Sequence, residues 1–341
     1  MDGAAEDLLA SLRRLGLVGA EETPAMRPLR GGVSSDIWVV EARARPFCVK
    51  RALGRLKVEA DWRAPVERNA NEVAWIETAR AIVPGSAPEI LGHDPQAGLF
   101  AMAYLPPTSH RLWKAALQAG EADPAFAAAV GQAIGRIHAA TAGDPEIARR
   151  FATDAIFHPI RIEPYLLATA ARHPDLAGRL HALAERTEAT HRALVHGDVS
   201  PKNILIGPEG PVFLDAECAW YGDPAFDAAF CLNHLLLKCL WTPGATPGFL
   251  ACYEALADAW LARATWEPAA AAESRAATLL PALTLARVDG KSPVEYLTDP
   301  ADRAFVRNTA RDLVAAGLTS LAAVAARWRE ALEEHHGARC D

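Results

Sequence analysis

The chain has few cysteines, no long apolar run and no surplus of positive charge. Its six cysteines among 341 residues form no Cys-x-x-Cys pair and no set with histidines at zinc-ligand spacing, which predicts reduced thiols that pack in a core. No stretch of about 18 uncharged apolar residues occurs, so the sequence predicts no membrane span. The first residues are acidic and lack the basic start and apolar stretch of a secretory leader. Together these absences predict a cytoplasmic protein.

The charge balance argues against a general nucleic-acid binder. Asp and Glu number 42 and Lys and Arg number 35, which gives a net charge of −7 and a pI of about 5.9. A nucleic-acid-binding domain usually carries a basic face, so we expect no nucleic-acid partner. The acidity weakly favours a cationic or neutral substrate. The oligomeric state stays open between a monomer and a homodimer.

The composition predicts a folded α+β chain in two parts. Hydrophobic residues make up 51% and charged residues 23%, and the length is sufficient for two lobes. Before residue 104, short apolar or β-branched runs predict a small sheet around one helix. The predicted strands cover 36–41, 47–50, 89–91 and 99–104, and the predicted helix covers 66–81. We expect residues 1–103 to form the first part and a ligand to bind between the two parts.

Residues 104–341 are predicted to be mainly helical. Ala- and Leu-rich stretches with helical periodicity are broken at Pro and Gly residues, and no internal repeat is present. These stretches cover 124–142, 160–171, 174–192, 224–240, 248–263, 268–287 and 301–334. Among them lies a β island of three short strands, at 193–195, 204–206 and 212–214. The most apolar stretch, 228–240, predicts a buried helix, although it carries Asn233, His234 and Lys238.

The strongest chemical signal is the run from His196 to Asn203, which reads His-Gly-Asp-Val-Ser-Pro-Lys-Asn. It lies between two predicted strands and therefore forms a tight loop that carries Asp198 and Asn203. Asp215 ends a later strand, and Glu217 follows two residues on. Carboxylate and amide oxygens on adjoining turns suit Mg²⁺, so Asn203, Asp215 and Glu217 are the predicted metal ligands. Glu217 could equally support the ligands from behind or bind a second metal ion. Asp198 is left to accept a proton from an attacking hydroxyl.

These residues resemble those of the aminoglycoside phosphotransferase/choline kinase family, small-molecule kinases built on the protein-kinase fold. Members look like H-G-D-x-x-x-x-N followed, after a spacer, by I/L-D-x-D/E, which here are residues 196–203 and 214–217. The resemblance implies a bilobal fold, with a small N-terminal antiparallel sheet plus a helix and a larger helical lobe. It also implies ATP- and Mg²⁺-dependent phosphoryl transfer, with Asp198 as the catalytic base or hydroxyl-orienting residue.

The resemblance extends upstream of this run. Residues 29–38 look like the family's glycine-rich phosphate loop, Lys50 ends the third strand, and Glu72 lies on the following helix. Kinases keep such a Lys–Glu ion pair to position the nucleotide phosphates, and the strand at 99–105 would lead to the hinge that holds adenine. The implied nucleotide-binding residues are Gly31, Gly32, Ser34, Ser35, Lys50, Glu72, Met102, Tyr104 and Lys202. Lys202 stands where relatives often have Gly, and it could equally be a solvated loop charge.

Each of these signals alone has an ordinary structural explanation. A Gly-Gly pair is most often a turn, and Lys50 and Glu72 alone would be surface charges. The joint order of the motifs favours the kinase interpretation. A catalytically silent nucleotide-binding module that acts through partners is the alternative, and loss of Lys50, Asp198 or Asp215 would indicate it. None of the three is lost.

The acceptor is expected to be a small molecule. The chain has no Asp-Phe-Gly and no Ala-Pro-Glu motif, and few residues after Asp215 are available for the activation loop of a protein kinase. Relatives host aminoglycosides, choline or ethanolamine, sugars and homoserine, and the sequence does not choose among them. The polar segment 287–296 either lines the acceptor pocket or is a connector. The same two roles are open for His158, Arg161, Glu163 and Tyr165.

Several other residues near the motif are assigned supporting roles. His196 is predicted to brace the catalytic loop, and Asp223 and Asp227 are predicted to cap a helix or brace the loop rather than bind metal. Trp220 and Tyr221 either wall the acceptor cavity or pack as core aromatics.

Overall fold

The computed structural model describes residues 3–29, 35–53 and 68–337. Its N-terminal lobe is a five-stranded antiparallel sheet with the strand order β1-β2-β3-β5-β4, flanked by two helices. The elements are α1 (Gly3–Arg14), β1 (Ala25–Pro28), β2 (Ser35–Glu41), β3 (Pro46–Ala52), α2 (Arg68–Ile82), β4 (Ile90–Asp94) and β5 (Leu99–Ala103). The predicted helix and sheet are confirmed, whereas α1 and β1 were not among the predicted elements.

The alternation of side chains along β3 decides which way Lys50 points. Phe47 and Val49 pack in one apolar cluster with Leu8 and Leu12 of α1. Successive side chains of a strand point to opposite faces, so Lys50 lies on the face that α2 covers. The helix α1 therefore fills one side of the sheet and leaves the other for the charged site.

The second lobe is helical and surrounds one large core. Its helices are α3 (Trp113–Gln118), α4 (Pro124–Thr141), α5 (Pro145–Arg150), α6 (Asp154–Phe157), a wide π-type helix (His158–Leu167), α7 (Ala168–Arg172), α8 (Ala177–Ala189), α9 (Pro224–Trp241), α10 (Thr246–Leu261), α11 (Ala269–Asp289), α12 (Pro300–Ala316) and α13 (Leu321–Gly337). The helix α9 lies at the centre, and every residue from Pro224 to Leu240 is buried, as predicted for 228–240. The stretch 301–334, predicted as one helical run, is two helices because Gly317 adopts a left-handed conformation with φ 64°.

Asp-Pro pairs begin four of these helices. In α4, α5, α9 and α12 the aspartate side chain accepts hydrogen bonds from the first free backbone N–H groups, and proline occupies the first helical position. The carboxylate accepts hydrogen bonds from N–H groups that have no partner within the helix, and its negative charge complements the helix dipole. Proline has no N–H, so at the first helical position no hydrogen bond is lost. These pairs fix where the helices that carry the site begin.

Five short strands place the catalytic segments. They are β6 (Arg111–Leu112), β7 (Ala193–Val195), β8 (Ile204–Gly207), β9 (Gly210–Phe213) and β10 (Trp220–Gly222). The strand β8 pairs with β6 and β9, and β7 pairs with β10. The loop from His196 to Asn203 therefore joins two small sheets, and the loop that carries Asp215 and Glu217 joins them again.

Across residues 3–29, 35–53 and 68–337, no helix combines the length and the apolar composition that a membrane crossing needs.

The close packing of α4 on α10 gives a stability prediction. A Cβ atom at Gly131 would lie 2.3 Å from the carbonyl oxygen of Leu256, so Gly131→Ala forces the helices apart and should lower the free energy of unfolding by about 1–3 kcal/mol. Gly178 on α8 has open space around it, so Gly178→Ala should be neutral or stabilising by up to about 1 kcal/mol. Urea unfolding of both variants checks this. Equal stabilities would contradict the close approach.

Candidate active site

The loop after β7 is fixed in place by Asp227 of α9. The Asp227 carboxylate accepts the backbone N–H groups of His196 and Gly197, each at 2.8 Å. Its Oδ2 lies 3.2 Å from His138 Nε2, and His138 Nδ1 accepts a hydrogen bond from Trp260 at 3.1 Å. The indole N–H can only donate, so the proton of His138 sits on Nε2 and points at Asp227. Asp227 therefore braces the loop, as predicted.

Gly197 allows the sharp turn before Asp198. Its φ is 78°, and a Cβ atom there would lie 2.7 Å from the carbonyl oxygen of Cys218. His196 supports the same turn, because its Nδ1 accepts the backbone N–H of Asp198 at 3.1 Å and its ring packs edge-on against Trp75. The geometry gives His196 the bracing role that was predicted.

Asp198 is buried, with one carboxylate oxygen in use and the other not. Its Oδ2 lies 2.9 Å from Arg161 Nη2 and 3.2 Å from Lys202 Nζ. Its Oδ1 is buried and has no hydrogen-bond partner among the described residues. Burial alone would raise the pKa of Asp198, but the charges of Lys202 and Arg161 outweigh it and hold the pKa below its ordinary value. Asp198 is therefore an ionised carboxylate that can accept one more hydrogen bond.

Asn203 ties the two loops together. Its side-chain nitrogen donates to the backbone carbonyl oxygen of Asp198 at 3.1 Å, and its backbone carbonyl oxygen accepts the N–H of Leu214 at 2.8 Å. Because the amide nitrogen is used inside the loop, the side-chain oxygen of Asn203 is the atom that could face a cation. The next residue after Leu214 is Asp215.

Lys50 joins both lobes at Asp215. Its ammonium group is 3% exposed, lies 2.6 Å from Glu72 Oε2 and also contacts Asp215 Oδ1. Burial alone would raise the pKa of Asp215, but Lys50 and then Lys202 lower it well below its usual range. Burial raises the pKa of Glu72 to about 7, against the opposing charge of Lys50. Lys50 thus stays protonated beneath an ionised Asp215.

Asp215 has a strained backbone. Its φ is 67°, and it is the only non-glycine residue with a positive φ in the parts of the chain that the structure describes. Such a conformation costs about 1–3 kcal/mol in most contexts and concentrates at functional sites. The contact with Lys50 holds the side chain in this position.

Glu217 is engaged by the first turn of α2. Its Oε2 lies 3.0 Å from Nε of the fully buried Arg68, and Asn71 donates to the carbonyl oxygens of Glu217 and Ala219 at 3.2 and 2.6 Å. A metal role for Glu217 stays a prediction. Arg68 and Asn71 were missed from the sequence, although the four-residue spacing of Arg68 and Glu72 places them on one face of α2.

The remaining predicted nucleotide residues lie around this centre to different extents. Ser35 begins β2 and is buried, Met102 lies half-buried in β5, and Tyr104 follows that strand. The contacts predicted for Gly31, Gly32 and Ser34 lie outside the described residues.

The acceptor candidates separate into two groups. Arg161 contacts Asp198, and Tyr165 accepts a hydrogen bond from Arg287 at 2.8 Å. By contrast, His158 pairs with Glu188, and Glu163 pairs with Lys291 of the segment 287–296. These four side chains are all partly exposed, at 36–52% of their surface.

Trp220 and Tyr221 pack as core aromatics. Trp220 stacks on Phe157 with ring centroids 4.3 Å apart, and the Tyr221 hydroxyl bridges the backbone of Arg192 and Gly143.

Comparison with known proteins agrees with the resemblance seen in the motifs. The family model described as phosphotransferase enzyme family matches residues 25–272, more than half of the chain. Methylthioribose kinase from Pectobacterium atrosepticum is 26% identical over 234 residues, covering 60% of this chain and 57% of that protein. Methylthioribose kinase 2 from Oryza sativa subsp. japonica is 23% identical over 252 residues, covering 66% and 58%. The chain thus spans less than two thirds of the length of these curated relatives.

Solved structures confirm the predicted α+β, protein-kinase-like fold. A putative aminoglycoside phosphotransferase from Ralstonia eutropha has a TM-score of 0.52 at 16% identity, covering 96% of this chain and 98% of that chain. An ethanolamine kinase from Plasmodium vivax has a TM-score of 0.52 at 12% identity, covering 90% and 88%. At these identities the likeness concerns the fold alone.

The bracing role of Asp227 can be tested by removing its charge. Asp227→Asn replaces an acceptor of two backbone N–H groups by an amide that can accept at one oxygen only, so it should lower the free energy of unfolding by about 2–4 kcal/mol. Chemical denaturation measures this. Asp312→Asn, at an exposed position of α12, is the matched control and should change stability by less than about 0.5 kcal/mol. If both variants behave alike, Asp227 does not hold the loop.

Proposed function

The chain belongs to the phosphotransferase enzyme family, and from this and the geometry of the site we propose that it transfers the γ-phosphoryl group of ATP to a hydroxyl of a small molecule. The observation that carries the proposal is the buried Oδ1 of Asp198, which has no partner among the described residues and lies on a loop that Asn203 connects to Leu214, next to Asp215. A hydroxyl group that donates to this oxygen would lie beside the residues proposed to hold the phosphates.

Asp198 serves as the acceptor of the substrate proton. The hydroxyl oxygen forms a bond to the γ-phosphorus while the bond from that phosphorus to the bridging oxygen of ADP breaks, and the hydroxyl proton passes to the Asp198 carboxylate and on to solvent. Because Arg161 and Lys202 keep Asp198 ionised, its first task is to orient the hydroxyl, and it takes the proton late in the transfer. Catalysis of this kind is chiefly positioning and electrostatic stabilisation.

Lys50 and Glu72 are the proposed phosphate-positioning pair. Lys50 is buried, and its ammonium group already bridges Glu72 and Asp215, so its place is fixed before any nucleotide arrives. Adenine would form hydrogen bonds with the backbone near Met102 and Tyr104, at the end of β5. Gly31, Gly32, Ser34 and Ser35 are the proposed loop over the phosphates, and Lys202, with half of its side chain exposed, could reach the transferring group.

The donor set fits a magnesium ion. Asp215 supplies a carboxylate that is about one-third exposed, and Asn203 supplies an amide oxygen, both hard ligands that Mg²⁺ prefers together with phosphate oxygens and water. Within the described parts of the chain, no three His, Cys, Asp or Glu side chains form a metal-binding group, so the nucleotide would supply the remaining ligands. When bound, the ion would neutralise charge on the β- and γ-phosphates.

The role of Asp198 predicts separate effects on turnover and on nucleotide affinity. Asp198→Asn keeps the shape but removes the charge that orients the hydroxyl, so kcat should fall by about 10²–10⁴-fold while the Kd for ATP changes little. ATP-consumption assays over a panel of hydroxyl compounds, with calorimetry for the nucleotide, measure both. A variant with near wild-type turnover would refute this role. Nucleotide binding by the wild type with no turnover of any acceptor would favour a silent module.

The metal assignment predicts a changed demand for magnesium. Chelation of divalent cations should abolish turnover, and Asp215→Asn should raise the Mg²⁺ concentration needed for half-maximal activity by about tenfold or more, because a charged ligand is lost. Glu209→Gln, on the exposed turn of the same hairpin, is the control and should leave that concentration unchanged. An unchanged magnesium requirement in Asp215→Asn would exclude Asp215 as a ligand.

A further inference from the structure

A group of basic side chains is buried beyond the catalytic loop, in the second lobe. We call His234 and Lys238 of α9, together with Arg287 of α11, the basic cluster. All three are at most 6% exposed. Positions 227, 234 and 238 are spaced by seven and by four residues, which places them on one face of α9. Asp227 on that face holds the catalytic loop, and His234 and Lys238 lie two and three turns further along the same face.

Lys238 and Arg287 of the basic cluster have only neutral contacts. Lys238 Nζ lies 3.4 Å from the ring centroid of Tyr296 and 3.8 Å from that of Trp241. Arg287 donates to the hydroxyl of Tyr165 at 2.8 Å and to Ser292 Oγ at 3.4 Å. Among the described residues, no carboxylate oxygen lies within 4.0 Å of either cation. The guanidinium group of Arg287 is thus a buried positive charge without a counter-ion, which is unfavourable and which an anion from outside the chain would compensate.

The basic cluster also presents nitrogens that lack partners. Arg287 Nε and His234 Nε2 are buried and form no hydrogen bond among the residues that the structure describes. A folded chain rarely leaves such atoms unpaired. Burial, followed by the charge of Lys114, lowers the pKa of Lys238 to about 6, so this amine would take up a proton when an anion binds.

A path of contacts connects the basic cluster to the catalytic carboxylate. Arg161, which pairs with Asp198, has its guanidinium 5.8 Å from the ring centroid of Tyr165, and Tyr165 contacts Arg287. The pKa of His234 is lowered first by burial and then by the charges of Arg287, Lys238, Lys202 and Lys114, so the catalytic loop and the basic cluster share one electrostatic field.

The acidic groups around the basic cluster are already paired. Glu295 contacts Lys114, and Asp198 pairs with both Arg161 and Lys202. These carboxylates therefore do not compensate the charge of Arg287, although the net charge of the whole chain is −7. A cationic acceptor such as a polyamine sugar would meet repulsion here.

We propose that the basic cluster binds a carboxylate or phosphate group of the acceptor, so that the substrate is an anionic hydroxy compound. The inference rests on the proposed function, because it assigns a binding site to the anionic group of the same acceptor whose hydroxyl would donate to Asp198. It reverses the weak expectation of a cationic or neutral substrate, since a binding site responds to nearby charges and not to the net charge of the surface.

Acceptors matched in shape and different in charge test the proposal. We would compare gluconate, glucose and glucosamine, and also glycerate, glycerol 3-phosphate, glycerol and ethanolamine, by ATP consumption. The anionic members should exceed their neutral and cationic counterparts in kcat/KM by about tenfold or more. Comparison of gluconate and glycerate with glycerol 3-phosphate distinguishes a carboxylate site from a phosphate site. Preferred turnover of a neutral or cationic member would overturn the proposal.

Variants at Lys238 locate the effect. Lys238→Met should raise the KM for the anionic acceptor by about tenfold or more, leave the KM for ATP unchanged, and raise Tm because a buried amine without a counter-ion is removed. Lys238→Arg should restore part of the affinity. Arg329→Met, which removes an exposed cation of α13 paired with Glu254, is the control and should alter neither KM. An unchanged KM for the anion in Lys238→Met would contradict the assignment.

Thermal shifts with ADP and Mg²⁺ at saturation provide a measurement that needs no turnover. Glycerate, gluconate or glycerol 3-phosphate should raise the Tm of the wild type, with the shift lost in Lys238→Met, and ethanolamine should not. If no compound of any charge is phosphorylated but anions still stabilise through Lys238, the proposed function fails while the anion site stands. If no anion is either phosphorylated or stabilising, the anion site is refuted.

Discussion

The buried ammonium group of Lys50 is the contact on which the active centre depends. It lies between Glu72 of α2 and Asp215 of the loop after β9, so it connects the sheet, its helix and the second lobe. A buried charge is tolerated only with well-placed partners, and removal of either carboxylate would leave the remaining charges poorly compensated. The strained backbone of Asp215 is held by the same contact. The cleft therefore has a fixed centre, around which flexible ligands can be positioned.

The catalytic loop is supported from the opposite side, by neutral and anionic groups of the helical core. Asp227 collects two backbone N–H groups, and His138 and Trp260 orient it. Arg161 and Lys202 contact Asp198 and keep it ionised. Basic side chains continue beyond them along α9. In the proposed function, Asp198 would accept the substrate hydroxyl, and the basic residues near it would favour an acceptor that carries a negative charge.

Much of the central site was predictable because its residues occur in short motifs. Asp198 and Asn203 lie five residues apart in one loop, and Asp215 and Glu217 lie in the next, so local spacing suffices to place them. Lys50 was predictable from strand position and motif order together. Arg68 was missed, because an arginine at the start of a helix is usually exposed, whereas its burial and its contact with Glu217 arise from the tertiary structure. The helix α1 was missed because its short apolar stripe has meaning only against the sheet it covers.

The sequence by itself determined the change from a sheet lobe to a helical lobe, the Asp-Pro pairs at which helices begin, and the family motifs, because each depends on residues that are neighbours along the chain. Only the tertiary structure decided that Arg161 contacts the catalytic loop and that Arg287 and His234 are buried in the same lobe. These residues lie on three separate helical segments, and their proximity arises from packing rather than spacing. The electrostatic field at the site was decided in the same way. It depends on the distances between charges and on their burial, and the net charge of −7 gives no information about either.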